Sequence, residues 1–98
     1  MKAIKIELKK ENDVDYKELL AIVIGSLDPN RGISSDDVIK TVELKQQLIK
    51  SEESLHLSEP DYKWVINKLN GTVKWIGAVE WLAQFIKDVR EAPTIEIG

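Results

Sequence analysis

The one histidine, His56, stands in the run Glu52-Glu53-Ser54-Leu55-His56-Leu57-Ser58-Glu59, where three carboxylates flank an imidazole along the chain. Imidazole with carboxylates can hold a divalent metal or share a proton. This spacing fits no defined ligand motif, however, and a loop histidine among acids is ordinarily solvated. Cysteine is absent, which removes thiolate zinc sites, disulfides and a thiol nucleophile together. The glycines Gly25, Gly32, Gly71, Gly77 and Gly98 are scattered, so they build no phosphate-cradling loop. A nucleophile with its base and orienting group, or two carboxylates set across a cleft, cannot be assembled from this inventory. No catalytic, cofactor-binding or metal-binding residues are assigned, and a non-enzymatic role without a cofactor is expected.

The composition points the same way. At 98 residues the chain fits one domain, residues 1–98, long enough for a single adequate core. Hydrophobic residues make up 43% and charged residues 32%, the balance of a folded chain rather than a disordered one. The start, MKAIKIELKKEND, has neither the apolar stretch nor the cleavage site of a signal peptide, so the cytoplasm is the expected compartment. The longest apolar run, Leu19 to Ile24, is too short to cross a bilayer. A net charge of −3 works against phosphate-dominated binding to nucleic acid. Only Arg31 and Arg90 supply guanidinium groups, the side chain best shaped for forked phosphate contacts.

The elements that must position any site can be read from periodicity. Ala3 to Leu8 alternates through Ile4, Ile6 and Leu8, and Thr94 to Ile97 alternates through Ile95 and Ile97. Isolated strands leave backbone groups unpaired, so these two are expected to form a small sheet that joins the chain ends. Four helices are expected between them, giving an α+β fold that is mainly α. Asp15 caps the first, with Glu18 answering it and Val14 stapled to Leu19. This helix is apolar nearly all round, with Tyr16, Leu19, Leu20, Val23 and Leu27 on one face and Ile22 and Ile24 to either side, so it is expected at the centre. The β-branched run Ile22 to Ile24 also admits a strand.

After the breaking run Leu27 to Gly32, Ser34 caps a second helix that runs to about Glu53. It carries two apolar stripes, Val38 with Val42 and Ile49, and Thr41 with Leu44, Leu48 and Leu55, which suggests two packing partners. The third helix, residues 58–70, opens at Ser58 with Pro60 in its first turn and ends at Asn70-Gly71. The fourth spans Val73 to Glu91, with Ala78, Val79, Leu82, Phe85, Ile86 and Val89 on its inner face.

Three tryptophans stand out on this frame. Trp75 falls near the middle of the apolar face of the fourth helix and reads as core. Trp81 falls at its border. On the third helix, Tyr62, Val65, Ile66 and Leu69 form the inner face, and Trp64 projects from the opposite side with Lys63, Asn67 and Lys68. An outward tryptophan is either an interface anchor or covered by another segment of the chain. In the first case Trp64→Ala spares the fold while Trp75→Ala costs roughly 3 to 5 kcal/mol.

Two functions use this surface. In the first, Trp64, Lys63, Asn67, Lys68 and Trp81 contact another protein, and Leu44 and Leu48 offer a route to a homo-oligomer. In the second, helices two and three act as a helix-turn-helix-like pair that presents helix 58–70 to nucleic acid, with lysines on phosphates and an aromatic for stacking. The acidic balance and the scarce arginine favour the first.

The short N-terminal strand, the apolar helix, the block DDVIKTVELKQQLIKSEESLHLSEPDYKWVINKLN and the closing IKDVREAP together resemble small uncharacterised proteins of tailed bacteriophages and prophages. The resemblance covers most of the chain as a pattern of leucines and acids and carries over no functional residues. It implies action in the host cytoplasm, in virion assembly or on a host protein. Both are binding roles, with self, a virion component or a host protein as partner.

Overall fold

A computed structural model describes residues 1–6, 15–27, 32–73, 75, 77 and 80–95. Its elements are β1 (Lys2–Lys5), α1 (Tyr16–Ile24), α2 (Ser35–Lys50), β2 (Ser54–Leu57), α3 (Glu59–Asn67), one π turn (Lys68–Thr72) and α4 (Glu80–Arg90). The fold is mainly α with a small antiparallel sheet. The Val14 staple, residues 28–31 of the breaking run, Lys74, Ala78, Val79 and the far ends of both terminal strands lie outside the described residues.

Local chemistry starts three of the helices where the caps stand. Asp15 accepts from the backbone N–H of Lys17 and Glu18 at 3.0 and 3.3 Å, Ser34 from Asp37 at 3.2 Å, and Ser58 from Asp61 at 3.4 Å. Each bond satisfies an amide that has no partner inside the helix.

The sheet has an additional participant. β1 pairs with β2 in the register Lys2 to Leu57 and Ile4 to Leu55, so the segment expected to continue helix two and then connect is a strand. Leu55 and Leu57 point inward beside Ile4, while His56 points out. The chain ends also meet, on the other edge of β1. Lys2 bridges Thr94, Ala3 donates to the Pro93 carbonyl at 3.0 Å, and Ile95 donates to that of Met1 at 2.6 Å. β1 is thus bonded on both edges.

Helix four starts later than its apolar periodicity suggests. Val73 is extended and Gly77 sits at φ 92°, a left-handed conformation that no α-helix contains, and the helix begins at Glu80. Helix three ends differently as well. It passes into the π turn instead of closing on Asn70-Gly71, and among the described residues the positive-φ glycines are Gly32 and Gly77.

One core joins every element. Tyr16, Leu20, Val23 and Ile24 of α1, Leu44 and Leu48 of α2, Val65 of α3 and Phe85 and Val89 of α4 are each no more than 2% exposed. Tyr16 meets Phe85 edge-on at 4.9 Å, and Trp75 meets the same ring edge-on at 6.2 Å. Trp75 therefore packs against the core as expected, but from a non-helical segment. Trp81, six residues on, belongs to α4, so the two rings do not share a helix. α1 is central but not buried all round, because Ile22 is 50% exposed and Leu27, beyond the helix end, 53%.

Candidate functional site

Trp64 lies as the helical spacing requires, on the side of α3 away from Val65, yet it is not free. Its indole Nε1 donates to Asp37 Oδ1 at 3.1 Å, and the Lys68 ammonium stands 4.8 Å from its ring centroid. The ring is half-buried and packed against the core cluster. The cover is the N-terminal turn of α2.

Lys68 is committed too. Its Nζ donates to the Ser26 carbonyl at 2.6 Å, just past the C-terminus of α1, where carbonyls lack helical partners. The outer side of α3 is thus a joint between α1, α2 and α3, reinforced by an ion pair of Lys40 with Asp61. The hydrogen bond to Asp61 raises the pKa of Lys40 above the ordinary lysine value. Of the residues expected to form an interaction surface, Lys63, Asn67 and Trp81 are exposed, Trp81 by 40%, while Trp64 and Lys68 are half-buried in this joint.

The stripes of α2 sort in the reverse of the order expected for self-association. Leu44 and Leu48, each 2% exposed, belong to the core and pack on the α1 side of the fold. Val38 is 45% exposed, Val42 49%, Ile49 72% and the neighbouring Ile39 57%. At about 100° per residue, Val38, Val42 and Ile49 fall within a sector of about 40°, roughly 120° round the helix from the buried Leu44 and Leu48. This stripe is the largest run of exposed aliphatic side chains on any one element among the described residues.

Two lysines border the stripe where α1 runs beside α2. Lys17 donates its Nζ to the carbonyls of Ile49 and Ser51, both at 2.9 Å, and so closes the C-terminus of α2. Lys45, although it sits between Val42 and Ile49 in the stripe, swings its ammonium over Gly25 at the end of α1. Only its aliphatic stem is left along the stripe.

His56 is exposed at a shallow pocket with Glu52, Glu53 and Ser54. Among the described residues no three histidine, aspartate or glutamate side chains converge as metal ligands, and no helix is long and apolar enough to cross a membrane. A further pocket lies between the β1 edge and the end of α4, lined by Lys5, Glu53, Asp88, Glu91 and neighbours.

No protein-family model, curated protein or solved structure matches the chain.

Proposed function

We propose that this chain is a non-enzymatic protein-binding module and that its contact surface is the outward stripe of α2, Val38, Val42 and Ile49, with Ile39 beside it. The observation that supports this is the exposure of these four side chains, 45% to 72%, on a 16-residue helix that Leu44 and Leu48 anchor in the core. Leaving about half or more of each branched aliphatic in water on a rigid element forgoes burial worth about 1 kcal/mol for each, which a partner can recover. The pattern-level likeness to tailed-phage proteins supports a role in virion assembly or in modulating a host protein.

Nucleic-acid binding has less support, because Lys68, one of the lysines that helix 58–70 was to present, is spent on Ser26 and the Trp64 ring. Lys63 and Asn67 stay accessible, but one ammonium offers little phosphate neutralisation.

The test is capture of partners by immobilised wild type beside two variants, Val42→Lys/Ile49→Lys on the stripe and Lys63→Glu on α3. Partners lost from the stripe variant and kept by Lys63→Glu support the stripe as the surface. Partners that survive the stripe variant contradict it, and a salt-dependent DNA titration abolished by Lys63→Glu supports the nucleic-acid reading instead.

A further inference from the structure

We infer that Asn70-Gly71 is a self-modifying site, at which the Gly71 backbone nitrogen closes on the Asn70 side-chain amide, and that Arg90 is the latch that slows this reaction. The pair is the single Asn-Gly step in the chain. Both residues are exposed on the outer side of the π turn, between Leu69, which is 4% exposed, and the half-buried Val73. A β-carbon built on Gly71 would meet nothing within 4 Å, so no neighbouring segment crowds the ring that must form.

The chemistry needs only water. Hydroxide takes the Gly71 amide proton, the nitrogen attacks Asn70 Cγ, and the Cγ–Nδ2 bond breaks with loss of ammonia, leaving a five-membered succinimide. Water then opens either ring carbonyl. One product is an aspartyl residue; in the other, isoaspartyl, the main chain runs through Cγ and is one atom longer. Glycine favours closure because it has no side chain to obstruct the nitrogen and its backbone turns freely. Asn67-Lys68 has neither advantage, since Lys68 carries a side chain and Asn67 is held in α3.

The fold sets the rate. A helical backbone at Asn70 turns the next amide nitrogen away from Cγ, so closure requires the π turn to open locally. Arg90, the last residue of α4, holds the other reactant, donating from Nε and Nη2 to Asn70 Oδ1 at 3.0 and 2.7 Å. Two effects of this contact compete. The guanidinium polarises Cγ toward attack, and the same two bonds tether the side chain against the rotation that carries Cγ to the nitrogen. At an exposed site water on a free Oδ1 supplies similar polarisation, so the tether is the larger effect. Conversion remodels the turn. Either product makes the net charge one unit more negative than −3, and the aspartyl form offers Arg90 a carboxylate. The isoaspartyl form inserts its extra atom inside the loop that the Val73 N–H closes on the Lys68 carbonyl at 3.0 Å.

The test is incubation of wild type for weeks at mildly alkaline pH, beside the same chain held unfolded in guanidinium chloride, with conversion at each asparagine read by peptide mass mapping. Folded wild type is expected to convert at Asn70 and not at Asn67, more slowly than the unfolded chain. Arg90→Gln is expected to convert at least about three-fold faster than wild type. If that variant proves less stable in denaturant, Arg90→Lys, which keeps the charge and loses the forked donors, takes its place. Gly71→Ala, for which the structure leaves room, is expected to block the reaction. A folded wild type that keeps Asn70 intact while the unfolded chain converts overturns the site. A rate in the Arg90 variant equal to or below that of wild type overturns the latch.

Discussion

The ammonium of Lys45 lies so close over Gly25 that a β-carbon there would stand 2.7 Å from it. Gly25 is at φ −85°, a conformation open to any residue, so its value here is the space it leaves. Gly25→Ala is expected to change stability by less than about 1 kcal/mol, because the unfolded chain loses freedom while a flexible lysine tip gives way. The same change pushes the Lys45 ammonium off the end of α1. Chemical denaturation of the variant checks this, and a loss well above about 1 kcal/mol would mean that the lysine tip cannot give way.

Trp64 is now assigned a stabilising share. Trp64→Ala is expected to cost about 2 kcal/mol in denaturant unfolding, less than the 3 to 5 of a fully enclosed aromatic, since the ring is half-buried. Trp64→Phe keeps most of the packing and loses the bond to Asp37, for about 1 kcal/mol. A Trp64→Ala protein as stable as wild type would return this side chain to the role of free interface anchor.

Thr41 Oγ1 is buried without a hydrogen-bond partner on the inner side of α2. Replacing the hydroxyl with a methyl removes an unsatisfied group at nearly constant volume. Thr41→Val is therefore expected to raise stability by about 1 kcal/mol in urea unfolding, and a loss would mean that the hydroxyl is bonded in solution.

Tyr62 is buried, and its hydroxyl donates to the carbonyls of Val89 and Arg90 at 2.6 and 2.8 Å. Burial pushes its phenol above the ordinary value of 10.0. The folded chain thus holds this proton more tightly than the unfolded chain. The resulting stabilisation is fully present below pH 10 and is lost as pH rises through the raised value. Tyr62→Phe is expected to lower stability by about 1 kcal/mol near neutrality and to flatten the alkaline decline. A decline as steep as that of wild type would assign it to other groups.

What the sequence made legible was local. Asp15, Ser34 and Ser58 announce their helices because a cap and the amides it serves lie within three residues. β2 was missed because Leu55-His56-Leu57 shows a single alternation directly after a long helix, and its strand character comes from β1, some fifty residues away. The early start assigned to helix four followed a sound apolar pattern through Val73 and Ala78, which the left-handed Gly77 interrupts.

The site was legible in part. Spacing put Trp64 opposite the inner face of α3, where it is, but the α2 turn that covers it is fixed only by tertiary packing. Likewise two stripes on α2 were visible, and nothing within that helix distinguishes the one that meets α1 from the one left outside.

The most direct measurement is partner capture with wild type and Val42→Lys/Ile49→Lys side by side, each first shown to be folded by its amide NMR spectrum. Loss of the captured partners with a folded stripe variant is the expected result. Partners kept by the folded stripe variant, and lost instead on changing Lys63 or Trp81, would contradict the assignment of the contact to the outward stripe of α2.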